Sequence, residues 1–422
     1  MENVKTDILK TNTGSKLYVK SILVIAVLLV MILIELFKNG SYCDEIIGVI
    51  AIFYMLFWRR KIERYDLTTI ALIIFAVLIG ILSNLISGLV SSAFSIGTDI
   101  IVETKLVFGF FFVKYFLSNR EKQQVINLLT PLARLWCLVS TATGIISQFV
   151  NTDMTGEIRF GFIKTFDFLF TFNFQYTSVY MLALGVIICS TVLSEKTRRR
   201  YIIIGLIGIF LAAKSPSIIF TLVFLSFLYN FNQQKKINPF IIVIAVIVIV
   251  VAGWYQISTY LLEEGTPRRM FFEYGIKTAN RYFPLGSGFS TFGSGEAASH
   301  YSPLYYEYGF ENLWGMSPDD TAFLNDTFWA STIGQFGWIG SIIYLTVFIR
   351  VLLIVRKKDY EPTRKAFIYA AFLQYYFHAI GSAILSSSAG MIGFMALGLF
   401  INNYYEDEKE KKVKQRLKLK LK

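Results

Sequence analysis

The chain has 422 residues, 55% of them hydrophobic, and a mean hydropathy of +0.54, above the apolar share of soluble domains. Its charges fall in short clusters between long apolar runs, which excludes a string of soluble domains and indicates an all-α, polytopic membrane protein. A net charge of +12 would suggest nucleic acid in a soluble protein, but here the basic residues must first be tested as topology signals.

Taken in chain order, apolar runs near the length of a membrane span lie at 21–37, 42–58, 67–88, 101–117, 125–149 and 173–194. The second half adds 201–213, 216–231, 239–258, 328–350, 365–384 and 387–403. The stretch 201–231 is divided at "AAKSPS", because Lys214 and Pro216 are costly in mid-bilayer unless the helix breaks there. The first run continues without a small-residue cleavage site, so no cleavable signal peptide is expected. Cys43, Cys137 and Cys189 show neither metal spacing nor a disulfide framework.

Placing the N-terminus in the cytoplasm puts 29 of the 41 Lys and Arg residues on that side and 8 on the other, the rest lying within spans. The expected organisation is therefore a cytoplasmic segment 1–20, spans 1–9 over 21–258, and an extracytoplasmic loop 259–327. Spans 10–12 over 328–403 and a basic cytoplasmic tail 404–422 complete it. The basic charge is orientation, and no nucleic-acid partner is expected.

The long loop contains "RYFPLGSGFSTFGSGEAASHYSPLYYEYGF". Gly286, Gly288 and Gly293 follow no strand and open no Rossmann unit, so a dinucleotide site fails on context. They are expected to allow tight turns, mobility or close backbone approach to a ligand. Tyr282, Phe289, Tyr305 and Trp314 belong to an aromatic set that suits either the membrane interface or the apolar face of a sugar.

The eight basic residues on the far side ask for a reason. Arg159, Lys214, Arg268, Arg269 and Arg281 could hold a diphosphate headgroup, guanidinium by bidentate hydrogen bonds and Lys as a point charge. Snorkelling to headgroups, or pairing with Asp153, Glu263, Glu264 and Glu273, is the alternative. Asp326, just ahead of span 10, reads either as a helix N-cap or as a general base. Asp319 and Asp320 are too few for a metal site and read as loop solvation, and His378 reads as a packed core residue. Glu103, Lys105, Lys114, Arg134 and Arg350 are the charges a transporter would need inside its spans.

The arginine pair, then "PLGSGFSTFGS", then "NDTFWASTIGQFGWIG", together with the late large loop, resembles the bacterial repeat-unit polymerases of O-antigen and capsular polysaccharide (the Wzy type). It also resembles their relatives, the O-antigen ligases. The resemblance implies a GT-C-like fold and an inverting, metal-independent and cofactor-free glycosyl transfer in the bacterial cytoplasmic membrane. It implies as partners the undecaprenyl-diphosphate-linked repeat units, the growing polysaccharide and the bilayer, with a chain-length regulator and a flippase alongside. Arg159 matches the family's arginine in "R-x-G", and Arg268 or Arg269 matches the arginine at the start of the loop. Lys214 stands where many members have arginine. Asp326 falls where ligases carry histidine, which favours a polymerase. The alternatives are a ligase-type transferase and a lipid-linked oligosaccharide flippase.

Overall fold

The computed structural model describes residues 18–37, 42–57, 62–90, 92–159, 161–233 and 265–403, with isolated positions between 240 and 263. Most of segment 1–20, most of the span expected at 239–258, and the tail 404–422 lie outside the described residues.

The first half runs α1 (Val19–Leu36), α2 (Cys43–Phe57), α3 (Arg64–Ser87), α4 (Ala93–Phe116) and α5 (Asn119–Phe149). A hairpin of β1 (Thr155–Arg159) and β2 (Ile163–Phe166) separates α5 from α6 (Asn173–Cys189). Then come α7 (Glu195–Leu211) and α8 (Ser215–Gln233). The break expected at "AAKSPS" is present: α7 ends at Leu211, α8 starts at Ser215, and Ala213 between them has φ 51°.

Beyond the long loop, which holds α9 (Pro267–Arg281), α10 (Gly295–Ser299) and α11 (Pro303–Glu307), the bundle closes with α12 (Phe328–Leu353), α13 (Pro362–His378) and α14 (Ser388–Leu399). Among the described residues, five helices, Val19–Leu36, Arg64–Ser87, Asn119–Phe149, Ser215–Gln233 and Phe328–Arg356, are long and apolar enough to cross a bilayer. Asn173–Cys189 and Ser388–Leu399 are apolar but shorter. Two helices start earlier than hydropathy indicates, because their first turns are polar and capped. Ser92 accepts from the Ser95 N–H ahead of α4, and Ser118 and Glu121 form a capping box ahead of α5.

The polarity of α1 shows what surrounds the bundle. Ser21, Val24, Leu28, Met31 and Glu35 turn inward, while Ile22, Leu23, Val30 and Leu33 are exposed. An exposed stripe of large apolar side chains opposite an inward Ser and Glu suits a hydrocarbon solvent and not water.

The cations inside the bundle are held by partners. Lys105 on α4 pairs with Asp44 and with Glu45 (2.7 Å) on α2. Lys114 pairs with Asp66 on α3, which also accepts from the Tyr115 hydroxyl at 2.5 Å. Arg350 donates to Thr69 Oγ1 (2.9 Å) and to the Tyr65 carbonyl (2.8 Å) and covers the Tyr65 ring. Arg134 lies over the Tyr201 ring.

The loop folds on itself. It contains α9 (Pro267–Arg281), α10 (Gly295–Ser299) and α11 (Pro303–Glu307), with a core that includes Phe271, Phe292, Tyr305, Tyr308, Phe310 and Met316. Its glycine segment leaves that core and inserts between α3 and α12. Asn84 brackets Phe289, donating to its carbonyl and accepting from its N–H, both at 2.8 Å. Ser287 and Gly288 donate backbone N–H groups to the carbonyls of Gly334 (3.0 Å) and Gln335 (2.8 Å), and the Ile339 N–H donates to the Pro284 carbonyl (3.3 Å). Those groups are released because α12 breaks at Gly337 (φ 60°, ψ −161°). A broken helix inside a bundle keeps its backbone satisfied by borrowing partners in this way. Gly286, Gly288 and Gly293 make the expected tight turns at positive φ, and the close backbone approach is to α3 and α12: the glycine segment is a buried wedge.

Candidate functional site

Asp326 lies two residues ahead of α12, and Arg268 sits in the first turn of α9, where Pro267 opens the helix. Arg268 Nη2 meets Asp326 Oδ2 at 2.7 Å, each side chain about a quarter exposed. The N-cap of α12 is Thr327, whose side chain makes no capping bond. Asp326 is therefore not the cap. Burial pushes its carboxyl from the ordinary 3.8 up to about 6, with the Arg268 charge and hydrogen bond pulling the other way.

His378 links this pair to a further cation, Lys214. Lys214 occupies the break between α7 and α8, and His378 ends α13. The His378 ring lies within electrostatic reach of both Lys214 and Arg268, edge-on to Phe174 and with Nδ1 3.4 Å from Gln374 Nε2. Asp167, at the foot of the hairpin, accepts from Asn173 at 2.6 Å. Burial raises its carboxyl, while Asn173 and then Lys214 oppose the rise. Arg159 pairs with Glu157, whose charge also reaches Asp167, so the hairpin places Arg159 at the rim.

The remaining arginines lie elsewhere. Arg269 Nη1 donates to the Leu262 carbonyl at 2.6 Å and is turned away from Asp326. Arg281 ends α9 and pairs with Glu307 at the surface. Thirteen residues at a rise of about 1.5 Å put it roughly 20 Å from Arg268, on the opposite face of the helix. Arg281 is thus removed from the expected cluster.

Two of the expected sugar-binding aromatics are also corrected. Phe289 and Tyr305 are fully buried. Phe289 packs edge-on to Phe336 and over Gly80, and the Tyr305 hydroxyl accepts from the Gly293 N–H at 2.8 Å. Tyr282 is partly exposed beneath the Arg281 guanidinium, and Trp314 is 80% exposed, edge-on to Phe323. Among the described residues, no group of three or more His, Cys, Asp or Glu side chains is arranged to hold a metal.

No family model matches the chain, and no curated protein matches it.

An apolar groove of about 350 Å³ is lined by residues including Leu132 and Trp136 of α5, Phe168, and Leu182, Ala183 and Val186 of α6. Phe168, which lines it, follows Asp167 in the chain. Sequence reasoning missed Asp167 and His378 as site residues. Neither belongs to a motif, and the only available signal was that His378 is one of two histidines and falls near the end of a span.

Proposed function

We propose that this chain is a polysaccharide polymerase of the bacterial cytoplasmic membrane. It would join undecaprenyl-diphosphate-linked repeat units at the outer face. In this reading twelve spans of GT-C-like arrangement hold both termini in the cytoplasm, and the long loop faces outward. One observation carries the proposal: the Arg268–Asp326 pair, Lys214 and Asp167 gather where helix ends meet, and Phe168, next in the chain to Asp167, lines an apolar groove. That pairing fits a lipid with an anionic headgroup. The groove takes part of the polyprenyl chain, and Arg268 and Lys214 meet the diphosphate, with Arg159 at the rim.

The chemistry follows from Asp326. The incoming diphosphate competes for Arg268, releasing the carboxylate from its ion pair. Asp326 then takes the proton from an acceptor sugar hydroxyl as that oxygen attacks the anomeric carbon of the growing chain. The anomeric carbon–oxygen bond to the diphosphate breaks on the opposite face, inverting the centre. The electron pair leaves with undecaprenyl diphosphate, whose charge Arg268 and Lys214 stabilise.

The pairing of the interior cations supports transfer over transport, while the buried Glu103, with no ion pair among the described residues, is the one feature on the transport side. Lys105, Lys114 and Arg350 are held by partners on neighbouring helices, whereas a transporter would expose such groups to a cavity. A ligase-type transferase is favoured by one observation, the approach of the His378 imidazole to the cationic cluster. Deleting the gene and sizing surface and lipid-linked glycans tests all three readings. Single repeat units at the outer face without polymer mean polymerase. Full-length polymer left on its lipid means ligase, and units trapped on the cytoplasmic face mean flippase.

A further inference from the structure

Asp99 and Glu103 lie one turn apart on α4, both buried and outside the Arg268–Asp326 site. Among the described residues neither makes an ion pair. Lys105 is within electrostatic reach of Glu103, but its ammonium is held by Asp44 and Glu45. The Tyr344 hydroxyl, also close, donates to the backbone carbonyl of Glu103 and not to its carboxylate.

The glycine segment and α12 bring more oxygens to the same place. Ser290, with φ 63°, donates its N–H to Asp99 Oδ2 at 2.5 Å, and the side chains of Ser294 and Gln335 also reach Asp99. Gln335 Nε2 is committed to the Phe292 carbonyl (2.9 Å) and Ser331 Oγ (3.3 Å). Among the described residues, Asp99 Oδ1, Glu103 Oε2, Gln335 Oε1 and Ser290 Oγ are buried with no hydrogen-bond partner. Buried acceptors left without a donor are destabilising, and two carboxylates together more so.

We propose that Asp99, Glu103, Gln335 and Ser290 form a binding site for a hard cation, sodium or calcium, which pins the glycine segment onto α4. Every orphaned atom is an oxygen, the ligand type such cations select. Two carboxylates balance calcium fully; with sodium, one negative charge remains for a proton. Only two of the four residues are acidic, so the site has fewer than three acidic, histidine or cysteine ligands. It is independent of the polymerase reading.

The test uses the full-length protein purified in detergent. Thermal unfolding is followed in calcium, in sodium, and in choline with a chelator, at constant ionic strength. One of the two cations is expected to raise the midpoint saturably, with equilibrium dialysis finding one ion per chain. Which cation does so distinguishes sodium from calcium. Glu103→Gln is expected to abolish the rise. Ser290→Ala, which keeps both carboxyls should Glu103→Gln fail to fold, is expected to weaken apparent affinity on the order of tenfold. A rise retained unchanged in these variants overturns the proposal. So does a midpoint that responds to pH but to neither cation, since protons would then satisfy these oxygens.

Discussion

Gly286 and Gly337 meet backbone to backbone. A Cβ on Gly286 would lie 2.2 Å from the Gly337 nitrogen, and a Cβ on Gly337 would lie 2.3 Å from the Gly286 nitrogen. Both residues have positive φ, 82° and 60°. The contact ties the loop to the break in α12, and the same loop carries Arg268 while the same helix follows Asp326. Loop folding, helix breaking and site assembly are thus one structural event.

Gly286→Ala and Gly337→Ala are expected to destabilise by on the order of 3 kcal/mol or more, since neither backbone can withdraw without losing its hydrogen bonds. Gly88→Ala is the control. Its φ is 63° but nothing lies near its would-be Cβ, so only the left-handed strain of about 1–2 kcal/mol applies. Thermal unfolding in detergent checks the order, and equal losses at all three positions would remove the steric argument.

If Asp326 is the base, glycosyl transfer falls roughly tenfold per pH unit below about 6, where its carboxyl becomes protonated. Arg268 pulls this value down, so in the residual activity of Arg268→Gln the acid limb moves to higher pH. Asp326→Asn abolishes chain extension. Rates measured across pH on purified lipid-linked units decide this, and an unmoved limb in Arg268→Gln would falsify the assignment.

The arginines separate by position. Arg268→Ala and Lys214→Ala are expected to reduce polymer yield at least about tenfold, the loss of a charge-assisted contact to phosphate. Arg281→Ala, which breaks an exposed pair with Glu307, changes stability by less than about 1 kcal/mol and leaves polymer length as in wild type. A polymer defect in Arg281→Ala equal to that of Arg268→Ala would place the headgroup at the other end of α9.

Lys114→Met leaves Asp66 buried without its cation and is expected to cost about 3–5 kcal/mol. The double variant Lys114→Met/Asp66→Asn recovers much of that loss, because Asp66 no longer carries a charge and Glu63, 3.6 Å from Lys114, keeps Lys358 at 3.3 Å. Unfolding midpoints of the two variants and wild type give the comparison. A double variant no better than the single would show that the pair is not what stabilises α3 against α4.

Ala183→Trp fills the groove from α6 and is expected to raise the KM for lipid-linked substrate several-fold, with folding retained. The check is titration with substrates of different polyprenyl length. Unchanged KM for all of them would detach the groove from the lipid.

The sequence by itself determined what can be read locally. Eleven of the twelve apolar runs fall on helices, five of them long and apolar enough to cross a bilayer, and most of the run 239–258 lies outside the described residues. Lys214 and Pro216 marked the break after α7, and the charge on Asp326 and Arg268 marked them as residues needing a reason. These are properties of a residue and its neighbours in the chain, because hydropathy and helix breaking act over one or two turns. What the chain order could not decide was which of those residues meet. Arg268 and Arg269 are adjacent, yet one turns to Asp326 and the other to Leu262, about 100° apart around the helix. Phe289 and Trp314 both read as loop aromatics, yet the first is buried against Gly80 and the second is exposed. Asp167 and Lys214 come from two separate connections and His378 from the end of α13, and only the packing of α6, α8 and α13 brings them together. Tertiary structure decides such matters because burial and pairing depend on what the rest of the chain places opposite a side chain.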